Sequence, residues 1–176
     1  RKIIYVGRLV ENKAPHMVVR GFKNLPSELR DQWTLHIYGH GPMRSKIEQI
    51  IDDSDLDDVV LERVPYPELP KVYAASEVLV HSSQYTEPFS RTWLEAMASE
   101  TAIVCSDNPS SRDSLAGVAE FYHPFDACSL TESLASVLSN PVRRREMRRE
   151  GRNRIAEYRP ERIIPKYIDV YEQTIT

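Results

Sequence analysis

Six short apolar runs, each followed by a stretch of helical character, set the terms on which this chain can fold. The runs are Lys2–Val6, Thr34–Tyr38, Val59–Val64, Val78–His81, Ala102–Cys105 and Glu120–Tyr122, rich in Val, Ile, Leu and Tyr. Short runs of this kind suit parallel strands buried on both faces. The stretches between them read as helices at Pro15–Leu25, Pro42–Ile51, Pro67–Ala75, Ser90–Ser99, Ser110–Ala116 and Phe125–Leu138. Two more, Pro141–Tyr158 and Pro160–Ile175, close the chain. Several open on a proline near the first turn, where a missing N–H costs little. Alternation from end to end means βαβ units with right-handed crossovers. The expectation is an α/β fold, a doubly wound parallel six-stranded sheet of Rossmann-like type, forming one domain over residues 1–176. In such sheets ligands sit beyond the carboxyl ends of the strands, so the loops after the strands hold the chemistry.

Composition narrows the function classes. Lys plus Arg number 23 against 26 Asp plus Glu, a net charge of −3, which argues against a general nucleic-acid binder. No apolar run is longer than about four residues, too short to span a bilayer. Two cysteines, Cys105 and Cys128, are too few for a disulfide framework and point to a reducing compartment, hence a cytoplasmic location. No signal peptide is read at the start, where Arg1-Lys2 leads straight into the first strand. The chain reads as the second part of something larger.

Three loops stand out. After the first strand come Gly7-Arg8-Leu9 and then Lys13. Gly7 permits a close turn, and two cations at a strand's carboxyl edge suit a diphosphate at about 1.5–3 kcal/mol per charge-assisted contact; they could equally be solvated. No P-loop and no G-x-G-x-x-G is present. After the second strand, Gly39-His40-Gly41-Pro42 either admits a ligand or another backbone closely, or only turns the chain. After the fourth strand comes His81-Ser82-Ser83-Gln84-Tyr85-Thr86-Glu87-Pro88-Phe89-Ser90-Arg91-Thr92-Trp93-Leu94-Glu95-Ala96-Met97-Ala98. A helix start near Phe89–Arg91 carries about half a positive charge and binds phosphate. Glu87 precedes that helix and Glu95 lies on its second turn, placed to accept from sugar or ribose hydroxyls. The plainer alternatives are helix-terminal charge compensation for Glu87 and an i−4 pair with Arg91 for Glu95.

Together with Ala74-Ala75-Ser76-Glu77-Val78, these motifs occur in an order that resembles the C-terminal, donor-binding domain of the retaining GT-B glycosyltransferases, over nearly the whole chain. The two glutamates separated by seven residues, inside E-P-F…L-E-A-M-A, are the most specific element. The resemblance implies a hexosyltransferase using a UDP-, GDP- or ADP-sugar, with no metal and no other cofactor, and an acceptor that is a glycan or lipid-linked. It implies catalytic roles for Glu87 at the donor sugar and for Arg8 and Lys13 at the diphosphate. It places Glu95 at the ribose, the backbone amides of Phe89, Ser90, Arg91 and Leu94 near sugar and phosphates, and Arg63 and Val64 near the base. Gly7, Gly39 and Gly41 would line the donor site. It further implies an N-terminal acceptor domain outside this chain, toward which the last helix, about 160–176, packs with Ile163, Ile164, Tyr167, Ile168 and Tyr171. Three positions depart from the family pattern. Ser90 and Glu100 stand where the family has Gly, and Asn108–Asp113 replaces a Gly-Gly pair with a following Glu. These departures motivate a second reading, a non-catalytic GT-B-like binding or assembly module.

Weaker signals remain. Asp52–Asp58 holds two D-x-D patterns but follows a helix and fails as an EF-hand, so it reads as a solvated turn. The Arg143–Arg154 helix could dock on anionic lipid, at about 1 kcal/mol per residue, or be a solvated outer face. His36 reads as structural, and no Cys/His spacing resembles a zinc site.

Overall fold

The computed structural model describes residues 1–85 and 87–175; Thr86, inside the acid-rich motif, and Thr176, at the chain's end, lie outside the described residues. The strands are β1 (Lys2–Val6), β2 (Thr34–Tyr38), β3 (Val59–Glu62), β4 (Val78–His81), β5 (Ala102–Ser106) and β6 (Ala119–Tyr122). The helices are α1 (Pro15–Lys23), α2 (Ser27–Arg30), α3 (Arg44–Asp52), α4 (Leu69–Ala74), α5 (Arg91–Ala98), α6 (Pro109–Leu115), α7 (Ala127–Ser139), α8 (Pro141–Ile155) and α9 (Pro160–Ile175). All strand pairs are parallel, in the order β3-β2-β1-β4-β5-β6. This is the doubly wound arrangement expected from the alternation, and it reverses its direction of growth between β1 and β4.

The pleat sends successive side chains to opposite faces. Ile3 and Tyr5 join α1, α3 and α7 on one side through Val18, Phe22, Ile47, Leu130 and Leu134. Ile4 faces the other way, with Leu79 and Ile103, onto Tyr73 of α4 and Trp93, Ala96 and Met97 of α5. Burial on both faces is why the strands read as continuous apolar runs rather than alternating ones.

Apart from the short α2, which the sequence reading does not include, the differences from expectation lie at element ends. β3 stops at Glu62 because its partner β2 ends at Tyr38, the last pair in register. α3 starts at Arg44 rather than Pro42: Met43 stands at φ −81°, ψ 0°, outside the helical backbone, with its amide bonded to the Leu9 carbonyl at 3.0 Å. α7 begins at Ala127 because Asp126 caps it, accepting from the Cys128 and Ser129 amides. Glu100 sits at φ 54°, a left-handed conformation that favours glycine, which accounts for the Gly of the family pattern.

The basic α8 is not a free cationic face. Arg144 is buried: it donates to the Val137 and Leu138 carbonyls at 2.7 and 2.6 Å, stands over the Trp33 ring at 5.1 Å and pairs with Glu77 at 3.3 Å. Arg148 shares Glu77, and Arg143, Arg149, Arg152 and Arg154 pair with Glu120, Glu150, Glu100 and Glu157. Among the described residues Arg145 has no ion-pair partner. The acidic turn is solvated, with Asp52, Asp53, Asp55 and Asp57 exposed, and Asp58 pairs with Arg30 at 3.6 Å. Among the described residues no helix is long and apolar enough to cross a membrane.

Truncating Arg144 removes the charge-assisted bonds that close α7. Arg144→Ala is therefore expected to cost about 2–4 kcal/mol, a fall in Tm of roughly 5–15 °C. Arg145→Ala should stay within about 0.5 kcal/mol of the parent. Thermal unfolding followed by circular dichroism checks the pair, and equal shifts in the two variants would contradict the inward role of Arg144.

Candidate functional site

β1 and β4 are neighbours at the reversal of the sheet, with Ile3 opposite Val78 and Ile4 opposite Leu79. The loops that follow them form the site. Behind β1, residues Gly7–Val10 lead into a 3-10 turn at Glu11–Lys13. The β4 loop is laced to this turn: the Ser82 hydroxyl donates to the Lys13 carbonyl at 2.7 Å, the Ser83 hydroxyl to the Asn12 carbonyl at 3.4 Å and the Gln84 amide to the same Asn12 carbonyl at 3.0 Å. The β5 loop joins through the Ser106 hydroxyl, which donates to the Ser83 carbonyl at 2.5 Å. Ser111 in turn donates to the Ser106 carbonyl at 2.7 Å.

Gly39 and Gly41 set the position of the β1 loop. A Cβ on Gly39 would lie 2.0 Å from the Gly7 carbonyl oxygen, and one on Gly41, at φ +152°, would lie 2.4 Å from that of Leu9. The bare backbones let the two loops bond directly, from the Gly7 amide to the Tyr38 carbonyl and from the Leu9 amide to the His40 carbonyl. These glycines thus set, by backbone contact, the loop that carries Arg8 and Lys13.

The loops bring Lys13 and Glu87 into an ion pair. His81 Nε2 lies 3.7 Å from the same carboxylate oxygen, its Nδ1 lies 3.5 Å from Cys105 Sγ, and its ring packs edge-on against Trp93 at 5.1 Å. Burial drives the His81 pKa down to about 4, against the pull of the Glu87 charge, and Lys13 adds to the lowering. His81 is therefore neutral at neutral pH. Burial alone would raise the Glu87 carboxyl, but hydrogen bonds from Lys13 and Ser83, with the Lys13 charge, hold it below its ordinary value. Glu87 is thus a carboxylate facing an ammonium. Beside them lies a cavity of about 60 Å³ whose lining includes Tyr5, Gly7, Lys13, Ser83, Ser90 and Thr92.

α5 starts at this cavity without a side-chain cap. The buried Ser90 turns its hydroxyl to Thr92 Oγ1 at 2.8 Å rather than to the helix amides, whereas Asn108, Asp126 and Asn140 cap α6, α7 and α8. An uncapped helix start leaves amides and a partial positive charge for an anion.

Glu95 lies on the other flank of α5. It lines a cavity of about 280 Å³ with Tyr66, Leu69, Pro70 and Tyr73, and accepts a hydrogen bond from the Tyr73 hydroxyl at 2.8 Å. Burial, followed by the Glu95 charge, pushes the Tyr73 phenol well above its ordinary value, which keeps it a donor. The helical pair with Arg91 does not form; Arg91 stands over the Tyr66 ring at 6.0 Å.

The remaining candidates are spread around these two hollows. Arg8 is exposed at the loop tip, its carbonyl held by the Tyr5 hydroxyl at 2.8 Å. Phe89 covers Trp93 and Tyr158 at 5.9 and 5.4 Å, and Leu94 stands fourth in α5, its side chain against the core. Val64 packs on the same cluster and Arg63 is exposed; neither lines the cavity beside Glu95. Tyr5, Tyr73, His81, Ser82 and Ser83 are site residues that the motif reading passed over. The signal for His81-Ser82-Ser83 was available: polar residues end and directly follow a strand buried throughout. For Tyr73 the sequence holds no such mark.

A sheet of this order with a laced acid-base pair at its reversal defines a Rossmann-like α/β domain. The chain belongs to the Glycosyl transferases group 1 family, whose pattern matches residues 1–154. Spore coat protein SA of Bacillus subtilis (strain 168) is 24% identical over 182 residues, covering 97% of this chain and 48% of that protein. The N-acetylgalactosamine-N,N'-diacetylbacillosaminyl-diphospho-undecaprenol 4-alpha-N-acetylgalactosaminyltransferase of Campylobacter jejuni is 30% identical over 123 residues, 68% of this chain and 31% of that one. Among solved structures, sucrose-phosphate synthase from Thermosynechococcus elongatus superposes with a TM-score of 0.85 at 25% identity, covering 99% of this chain and 45% of that one. A TarM variant from S. aureus, solved with fondaparinux, alpha-GlcNAc-glycerol and UDP, superposes with a TM-score of 0.84 at 21% identity, covering 97% and 35%. The chain spans about half the length, or less, of these relatives.

A histidine held neutral in the fold but free to protonate when unfolded costs stability in acid. Between about pH 6.5 and about pH 4 the unfolded chain binds the extra proton, so stability falls as pH drops through that window, by up to about 1.4 kcal/mol per unit. Burial also holds His16 and His36 low. His81→Gln is therefore expected to flatten the dependence rather than abolish it. Urea unfolding at about pH 7.5 and about pH 5 measures the slope; the same slope in the variant would contradict the assignment.

Proposed function

We propose that this chain is the donor half of a retaining, metal-independent glycosyltransferase, and that it binds a nucleoside diphosphate sugar across the start of α5. The observation that carries this reading is the placement of the Lys13–Glu87 pair and of Glu95 on opposite flanks of one uncapped helix. A diphosphate at the helix start would draw on its free amides and on Lys13, with Arg8 at the rim. Those positive groups would stabilise the charge that develops as the diphosphate leaves, the electrostatic work a divalent ion does elsewhere. Glu87, held ionised, would then accept from hydroxyls of the hexose. Glu95, oriented by Tyr73, would accept from the ribose, and the apolar wall of Tyr66, Leu69 and Pro70 would cover the nucleoside.

The family membership, and the UDP bound to the TarM variant, support a UDP-, GDP- or ADP-sugar. The acceptor would come from an N-terminal domain outside this chain and be a glycan or a lipid-linked saccharide, used on the cytoplasmic side in polysaccharide synthesis. The outward Ile164, Tyr167, Ile168, Val170 and Tyr171 of α9 suit packing against that domain. The ion pairs of α8 neutralise most of the charge that membrane docking would need.

Calorimetric titration of the chain with UDP, GDP and ADP tests the reading. One of the three should bind, and Glu95→Ala should weaken it by about 10- to 100-fold, the loss of one or two hydrogen bonds to a carboxylate. Silence from all three at millimolar concentration would overturn it.

A further inference from the structure

A second hollow opens beside the Lys13 turn. It has a volume of about 290 Å³ and is lined by Glu11, His16, Met17, Gln84, Tyr85 and Phe125. Glu11 and Gln84 face it, whereas Lys13 and Ser83, one or two residues away on the same laced loops, line the small cavity at the ion pair. The two hollows therefore share a wall.

Three features of this hollow are expensive for the fold alone. Tyr85 and Phe125 are 63% and 60% exposed yet meet edge to face, with ring centroids 5.6 Å apart. Phe125 sits at φ 64°, a left-handed conformation disfavoured for a bulky residue, and strain of this kind gathers at functional sites. His16 is 8% exposed, and its Nδ1 makes no hydrogen bond, although buried polar atoms are rarely left unpaired.

The chemistry of the lining selects a class of ligand. Burial holds His16 below its ordinary pKa and so keeps it neutral. Among the described lining residues the full charge is then the Glu11 carboxylate; Lys46, outside the lining, stands 3.7 Å from it. With Lys46 offsetting the Glu11 carboxylate, the lining offers no net positive charge to hold a phosphate. It suits a neutral polyol, whose hydroxyls pair with carboxylate, carboxamide and imidazole while its C–H faces cover the electron-rich aromatic rings.

We propose that this hollow is a carbohydrate subsite, holding a hexose unit of the acceptor or growing glycan next to the donor. Its place in a reaction rests on the donor reading above; the binding of a sugar does not.

The test is an NMR titration of the whole chain with methyl α-D-glucoside, methyl α-D-mannoside and N-acetylglucosamine, each to about 100 mM to reach weak affinities, and separately with UDP. At least one sugar should shift the resonances of Glu11, Gln84, Tyr85 and Phe125 saturably. Phe125→Gly suits the left-handed backbone, so the fold is kept while the ring is lost. That variant and Tyr85→Ala should each weaken the sugar by about tenfold or more and leave the UDP titration unchanged. No saturable shift from any of the sugars would overturn the proposal. So would shifts that survive in both variants, or rings buried only by self-association at high protein concentration. If UDP is silent while a sugar still binds here, the donor reading fails and the subsite stands.

Discussion

The rest of this molecule depends on a row of hydrogen bonds across the seam between β1 and β4. Lys13 and Glu87 are 74 residues apart in the chain, and each is largely shielded from water. Bringing two charges out of water is favourable only when their geometry is fixed. Here it is fixed from behind, by Ser82, Ser83 and Gln84 on backbone atoms of Asn12 and Lys13, and by Ser106 on Ser83. Small hydroxyls on carbonyls lock loops together without filling the space in front of them. That is how a loop region with little regular structure holds an ammonium and a carboxylate beside an open cavity.

The same seam separates two electrostatic environments. On the side of the small cavity stand Lys13, the uncapped start of α5 and the exposed Arg8, all positive. Glu87 meets Lys13 at the division itself, with neutral His81 behind it, and on the flanks stand Glu95, beside the Tyr73 hydroxyl, and Glu11, paired with Lys46. Positive groups gathered at a helix start suit phosphates, and separated carboxylates suit hydroxyls. The proposed donor lies across that division, with its diphosphate at the centre and its two sugars outward.

The fold was legible in the sequence because both faces of the sheet are covered, so every strand shows as an apolar run set between helices. Helix starts were less legible. At Met43 the amide is bonded to Leu9 on another loop, which local pattern does not reveal, whereas Asp126 is a local cap that the Phe125–Leu138 reading passed over. In the site, Lys13, Glu87 and Glu95 stood out as charges in loops and at a helix start, and the structure sets them around one helix. Arg63 and Val64 were placed by resemblance, and the end of β3 at Glu62 leaves them beside the hollow rather than in its lining. The glycines at 39 and 41 show the limit most clearly: a turn, a ligand approach and a backbone contact all ask for the same residue, and the Gly7 and Leu9 carbonyls that these glycines meet lie on another strand's loop. His81 and Tyr73 act through partners far along the chain, Glu87 and Glu95.

The most direct test of the central claim is a crystal structure of the chain grown in turn with UDP, GDP and ADP. The account predicts a diphosphate at the start of α5 in contact with Lys13, the ribose on Glu95, and the Lys13–Glu87 pair opened or shared. A nucleotide bound away from α5, with that pair undisturbed, would contradict it.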